Sequence, residues 1–455
     1  MDNSAKFKEY RKEYKSFIYR AYHKTIENNK LKVTFDFETP GLAEFHPTWE
    51  FPVGRNDLQD KNISEVLDVL LFNLGMTEAI SYYKCVCPEK VIVEAGHLSE
   101  KKSLWWRKLF YNGLGEFIYR NGINIREEEL LTIESKDGKE ELINDDTDYK
   151  GFMIPVGGGK DSVVSLEILK DEDVSTYHIN HNSSAIEVIE VFNDEKTDLC
   201  ALRTLDKNML ELNKQGYLNG HTPFSAIVAF SSVITAFLNK KKFIALSNET
   251  SANETTVKDS FVNHQYSKSY EFEKDFDEYL HSLISSDIHY FSFLRPLTEL
   301  QIAALFSTFR SYHSVFRSCN VGSKKGIWCC DCPKCLFVYI ILSPFLSEKE
   351  VINIFGEKLL DKESLEKDFR ELTGLDENKP FECVGTRGEV IASLKAYIAK
   401  GGRSILTEKY RNAIEAGSSD IKEYMKAWEK ENFLPDGYEE KLKGALEKCV
   451  AVLNI

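Results

Sequence analysis

The stretch GFMIPVGGGKDSVVSLEILK, residues 151–170, decides the fold. GFMIP is a short apolar run that reads as a buried strand, and VVSLEILK has helical spacing. Between them, Gly157, Gly158 and Gly159 let the backbone turn its N–H groups toward an anion. The helix that follows adds about half a positive charge at its start. Lys160 can neutralise a phosphate, Asp161 can hold Mg²⁺, and Ser162 can hydrogen-bond a phosphate oxygen. Three glycines alone would suit a tight structural turn, but strand, GGGKDS and helix in succession read as a phosphate loop. The spacing is neither Gly-x4-Gly-Lys-Ser/Thr nor the GxGxxG of a dinucleotide fold.

Downstream the pattern alternates. VSTYHIN (174–180) reads as a strand, AIEVIEVF as a helix, LCALRT (199–204) as a strand, and 206–215 as a helix. A helix over 223–240, with Pro223 in its first turn, leads into strand FIALS (243–247). This succession predicts α/β architecture: a parallel sheet covered on both faces, with ligands beyond the carboxyl ends of its strands. Upstream, residues 1–30 read as a charged helix, and Val33, Phe35 and Phe37 alternate with polar residues as a strand would. A helix is predicted over 64–84, a strand in PEKVIVEA (88–95), and a helix over 100–121 whose aromatic stripe, Trp105 and Trp106 included, reads as core. From Arg126 to Asp148 there are ten acidic residues against three basic ones, the composition of a solvated linker or hairpin. Beyond the cysteines, CLFVYIILSPF reads as a buried helix, Ser347-x-x-Glu350 as a capping box, and Gly356 as the following stop. The expected organisation is an α+β domain over 1–148, a nucleotide-binding α/β domain over 149–312, a cysteine module over 313–346, and a helical region over 347–455.

The chain has 455 residues, 42% of them apolar, which is ample for sizeable cores. Its 58 basic and 72 acidic residues leave a net charge of −14. That sign argues against a protein that mainly grips nucleic acid or anionic lipid, while leaving room for a local phosphate pocket. The first residues are charged and lack a secretory apolar core, and no apolar run is long enough to cross a bilayer, so a cytoplasmic protein is expected. Five of the ten cysteines fall within 319–335. Cys319, Cys329, Cys332 and Cys335 offer four thiolates for a closed, structural zinc site. An iron–sulfur cluster is the alternative, and Cys330 competes with Cys329 for the second ligand position.

The loop resembles the Ser-Gly-Gly-x-Asp-Ser loop of the PP-loop ATP-pyrophosphatase superfamily, with Gly157 in place of its serine. Phrases spread from about 80 to 385 resemble one family in particular: ISYYK (80–84), YNGLGEFIYRNG (111–122), NGHTP (219–223), SNETSA (247–252), VNHQYSK (262–268), LRPLTEL (294–300), CDCPKCLFV (330–338) and KPFECVG (379–385). That family is the UDP-N-acetylmuramoyl-L-alanyl-L-glutamate epimerases, MurL. The resemblance implies a PP-loop sheet with a zinc-stapled helical end. It also implies conversion of UDP-MurNAc-L-Ala-L-Glu to the D-Glu epimer, with ATP and Mg²⁺ giving AMP and pyrophosphate. Adenylation makes chemical sense, because a free carboxylate resists loss of its α-proton whereas an acyl-adenylate does not. A base on one face then takes the proton, and an acid or water on the other returns it. His264 is a base candidate, with Glu249, Lys268 and Cys383 as alternatives. His221 and Arg295 are candidates for substrate phosphate or carboxylate, and His178 and Asn180 for the adenosine. The expected partner is a small molecule, with no nucleic acid, membrane or pyridoxal phosphate. The competing reading is a PP-loop enzyme that adenylates a tRNA base, against which the net charge weighs.

Overall fold

The computed structural model describes residues 2–192, 197–257, 260–322 and 325–453. The chain forms two compact units, each assembled from several stretches. The first comprises Met1–Lys150, Leu199–Ile244 and Phe261–Tyr290, and the second Gly151–Asp198, Ala245–Ser260 and Phe291–Ile455.

In the first unit the expected opening helix stops early. Asp2 caps helix Asn3–Glu13, and strand Ser16–Glu27 follows. That strand forms an antiparallel hairpin with Lys30–Thr39 across Asn28 and Asn29, which take φ of 52° and 56°. Two consecutive positive-φ residues make the turn whose twist matches paired strands, and Asn tolerates that conformation. The ladder, from Ile18–Glu38 to Glu27–Lys30, overrides the local preference that the charges suggested. Lys30–Thr39 alternates as read, with Leu31, Val33, Phe35, Phe37 and Thr39 buried. Strands Lys90–Val93 and Thr132–Ser135 extend the sheet in parallel beyond Ser16–Glu27. On the other side, Thr48–Pro52 and then Thr197–Thr204 continue it antiparallel. Helix Lys61–Tyr83 covers the sheet and packs against helix Phe224–Asn239. Gly75 permits the close approach, since a Cβ there would fall 2.1 Å from the Tyr19 hydroxyl.

In the second unit, strands Lys150–Pro155 and Val174–Ile179 pair in parallel, in register from Phe152–Val174 to Pro155–Tyr177. Helix Lys160–Leu169 runs between them, as the 151–170 stretch predicts, and packs on helix Glu299–Thr308. The apolar run after the cysteines is helix Pro333–Leu342, with every residue from Lys334 to Leu342 buried. It packs on helices Glu299–Thr308, Glu366–Thr373 and Arg387–Ala399. Ser347 and Glu350 form the expected capping box of helix Glu348–Phe355, and Gly356 ends it at φ 84°. The final helix, Tyr438–Leu453, lies against Glu299–Thr308 and Lys160–Leu169. Among the described residues no helix is long and apolar enough to cross a membrane.

Candidate functional site

The loop between strand Lys150–Pro155 and helix Lys160–Leu169 is built as its glycines require. Gly158 has φ 84°, and a Cβ on it would come within 2.4 Å of the Ser184 backbone. Gly159 occupies the N-cap of helix Lys160–Leu169 and, as a glycine, brings no side chain to cap it. Gly157 has open space where a Cβ would stand. Ser162 is buried and its Oγ donates to the Gly159 carbonyl at 3.0 Å. Lys160 is buried, and its ammonium is clasped by the carboxylates of Asp161 and Glu299. The two anions hold that ammonium above its ordinary range against the opposing effect of burial. Lys160 thus ties the loop to helix Glu299–Thr308. Asp161 stays about a quarter exposed.

More buried acids surround this point. Burial, with Asp161 and Glu249 adding to it, pushes Glu299 up from the usual carboxylate range despite Lys160. The Glu299 N–H donates to Glu389 Oε1 at 2.7 Å, and Glu389 also serves the capping box at Thr386. Glu249 is buried, and its Oε1 accepts from Ser251 Oγ at 3.1 Å. Arg295, wholly buried, donates through Nη1 to the Glu249 carbonyl at 2.8 Å and through Nη2 to Ser292 Oγ at 3.1 Å. Lys334 donates to the Cys383 carbonyl. At the end of Val174–Ile179, His178 lies between the Asn180 carbonyl at 2.9 Å and Asp198 Oδ2 at 3.1 Å, and Asn180 takes φ 60°. The glycine loop, Glu249, Arg295, Cys383 and His178 therefore belong to one unit.

The thiols converge in the same unit. Cys332 lies 3.5 Å from Cys335 and 4.0 Å from Cys319, and Cys329 lies 3.7 Å from Cys335, sulfur to sulfur. A tetrahedral zinc with bonds of about 2.3 Å separates its sulfurs by about 3.8 Å, so the four residues fit the ion. Cys330 resolves away from the group, at φ 55° with its thiol donating to the Phe355 carbonyl at 3.2 Å. Cys329 is the fourth member of the cluster.

The first unit brings His221 and His264 onto a carboxylate that the sequence reading missed. His264 Nδ1 is 2.5 Å from Glu116 Oε2, His221 Nδ1 is 3.5 Å from the same oxygen, and Arg120 Nε is 2.6 Å from Oε1. The two imidazole centres are 4.5 Å apart. Burial, with His264 beside it and Lys84 and Lys268 contributing, pulls His221 down to about 4. Burial raises the Glu116 carboxyl, but hydrogen bonding and charge from His264, with His221 and Arg120, leave it below its usual range. Glu116, like Glu299 and Glu389, sits in an apolar helical phrase. Its only sequence signal is the improbability of an acid among core positions.

A family model described as the MurL N-terminal domain matches residues 8–293, and the MurL C-terminal domain model matches 311–420. Three curated relatives each carry the name UDP-N-acetyl-alpha-D-muramoyl-L-alanyl-L-glutamate epimerase. The protein of a Micromonospora species is 36% identical over 388 residues, covering 83% of this chain and 86% of its own. That of Salinispora tropica is 32% identical over 391 residues, covering 83% and 84%. That of Xanthomonas oryzae pv. oryzae is 32% identical over 328 residues, covering 69% and 70%. No solved structure matches the chain.

Proposed function

The chain belongs to the MurL family, and from that premise we propose that it is an isomerase inverting the terminal L-Glu of UDP-MurNAc-L-Ala-L-Glu to D-Glu for peptidoglycan precursor synthesis. The observation that carries this reading is the 36% identity, across most of both chains, with a protein named for that epimerisation. UDP-linked precursors are cytoplasmic, and so is the protein on this reading.

We further assign the reaction an ATP-dependent course. ATP is the second substrate, with its phosphates at Gly157–Ser162 and its adenosine near His178 and Asn180. The glutamate carboxylate attacks the α-phosphorus, the bond to the β-phosphate breaks, and pyrophosphate leaves. Backbone N–H groups at the start of helix Lys160–Leu169, where the N-cap is Gly159, suit the departing anion. Asp161 would hold Mg²⁺, which neutralises charge on the phosphates. The acyl-adenylate then loses its α-proton, regains one on the opposite face, and is hydrolysed to AMP and the D-glutamyl product. The α-proton is assigned to His264. With Nδ1 donating to Glu116, Nε2 is the basic nitrogen of the ring, and the buried carboxylate stabilises the imidazolium that forms. Glu249, Lys268 and Cys383 remain the alternatives. Arg295 and His221 are assigned to substrate anions, and Cys319, Cys329, Cys332 and Cys335 to a structural zinc that keeps no open coordination position.

The test is incubation of the full chain with ATP, Mg²⁺ and UDP-MurNAc-L-Ala-L-Glu, followed by glutamate chirality and nucleotide analysis. D-Glu with AMP is expected. Unchanged L-Glu would sink the epimerase reading, and ADP in place of AMP would sink the adenylate. His264→Asn should release pyrophosphate in the first turnover while D-Glu formation falls at least a hundredfold. Inversion at the native rate would move the base elsewhere.

A further inference from the structure

One hydroxyl beside the glycine loop takes no hydrogen bond among the described residues. Ser318 Oγ is buried and lacks a hydrogen-bond partner among the described residues. It stands 2.9 Å from the place a Cβ would take on Gly159, the residue that opens helix Lys160–Leu169. Its segment is fixed to the loop, because the Arg317 N–H donates to the Gly158 carbonyl at 2.7 Å. The next residue is Cys319, so an ion closing the thiol cluster also fixes where this hydroxyl lies. A buried donor left unmade is costly, and such groups in native proteins call for an explanation.

No hydroxyl of the loop's own is spare for an anion. Gly157 brings none, Ser162 Oγ donates to the Gly159 carbonyl, and the Lys160 ammonium is taken by Asp161 and Glu299. An anion at the helix start would meet backbone N–H groups and, from outside the loop, Ser318.

We propose that Ser318 is a phosphate ligand, its Oγ donating to an oxygen of the polyphosphate bound at the start of helix Lys160–Leu169. The hydroxyl that PP-loop sequences carry at the position of Gly157 is thereby supplied from the segment leading into the thiol cluster. This rests on the ATP-dependent reading above.

The experiment is titration of inorganic pyrophosphate with Mg²⁺ into the full chain by calorimetry, for the native protein, Ser318→Ala and Asn320→Ala. Asn320 flanks Cys319 on the other side and bonds Glu382 at the surface, so it reports on mere disturbance of the segment. Ser318→Ala is expected to bind about tenfold more weakly, with zinc content and thermal midpoint preserved, and Asn320→Ala to bind as the native chain does. Equal binding by native protein and Ser318→Ala overturns this inference alone. Equal weakening in both variants also overturns it. A native chain that does not bind pyrophosphate overturns the ATP-dependent reading and this inference with it.

Discussion

His221 and His264 share one carboxylate but stand in different electrostatic positions. Glu116 Oε2 is 2.5 Å from His264 and 3.5 Å from His221. His221, desolvated and facing a second imidazole, has its value drawn from 6.5 to about 4. A depressed value means that the folded state favours the neutral ring, so the unfolded chain binds more protons between about pH 4 and 6.5. Stability from this group is therefore complete above about 6.5 and lost as pH falls toward 4. Denaturant unfolding across that window should show a shallower acid loss in His221→Gln than in the native protein. Parallel slopes would refute the assignment. Neither histidine's partner was legible in the chain, because Glu116 lies 148 residues from His264 and only tertiary folding brings them together. Lys160 illustrates the same limit. Its ion pair with Glu299, 139 residues away, could not be read from its neighbours in sequence.

At the level of elements the sequence was more informative. The strand, loop and helix of 151–170, the buried helix after Cys335 and the capping box at Ser347 all rest on local rules of period and cap, and they form as read. Residues 16–27 do not follow from local rules, since their strand is imposed by the hairpin turn and its partner. Within the loop over 157–159 the glycines are not equivalent, which matters if it binds pyrophosphate as proposed. Gly158→Ala should abolish pyrophosphate binding, because a Cβ would strike the Ser184 backbone and φ is positive. Gly157→Ser, placed in open space, should leave both binding and thermal midpoint within error of the native values. The thiol cluster separates its neighbours just as sharply. Metal analysis should find one zinc per chain in the native protein and in Cys330→Ser, and a loss in Cys329→Ser, whose thermal midpoint should also drop. Zinc retained by Cys329→Ser would contradict the ligand set.

Over the whole molecule, chain order and spatial order diverge. The first unit needs residues 199–244 and 261–290 in addition to 1–150. Helix Lys61–Tyr83, buried from Asn73 to Tyr83, packs against helix Phe224–Asn239. A fragment ending at residue 150 leaves that apolar face uncovered. It should show little amide protection in hydrogen exchange and a strong tendency to associate, whereas the full chain should protect the Ser16–Glu27 ladder. A cooperatively folded, monomeric 1–150 fragment would count against the division. The first segment of that unit ends at Lys150, beside the acidic run over 126–148, whereas composition does not report the residues that return to the unit much later.

That return sets an order of events during synthesis. The first unit has all its segments once Tyr290 has left the ribosome, but the second unit waits for helix Tyr438–Leu453, near the end of the chain. Until then helix Lys160–Leu169 has emerged, and later helix Glu299–Thr308, without the helix Tyr438–Leu453 that packs against both. The nascent protein therefore passes through a long interval in which its second unit is incomplete. A slowed ribosome or a missing chaperone should harm its yield more than that of a chain whose units follow one another in sequence.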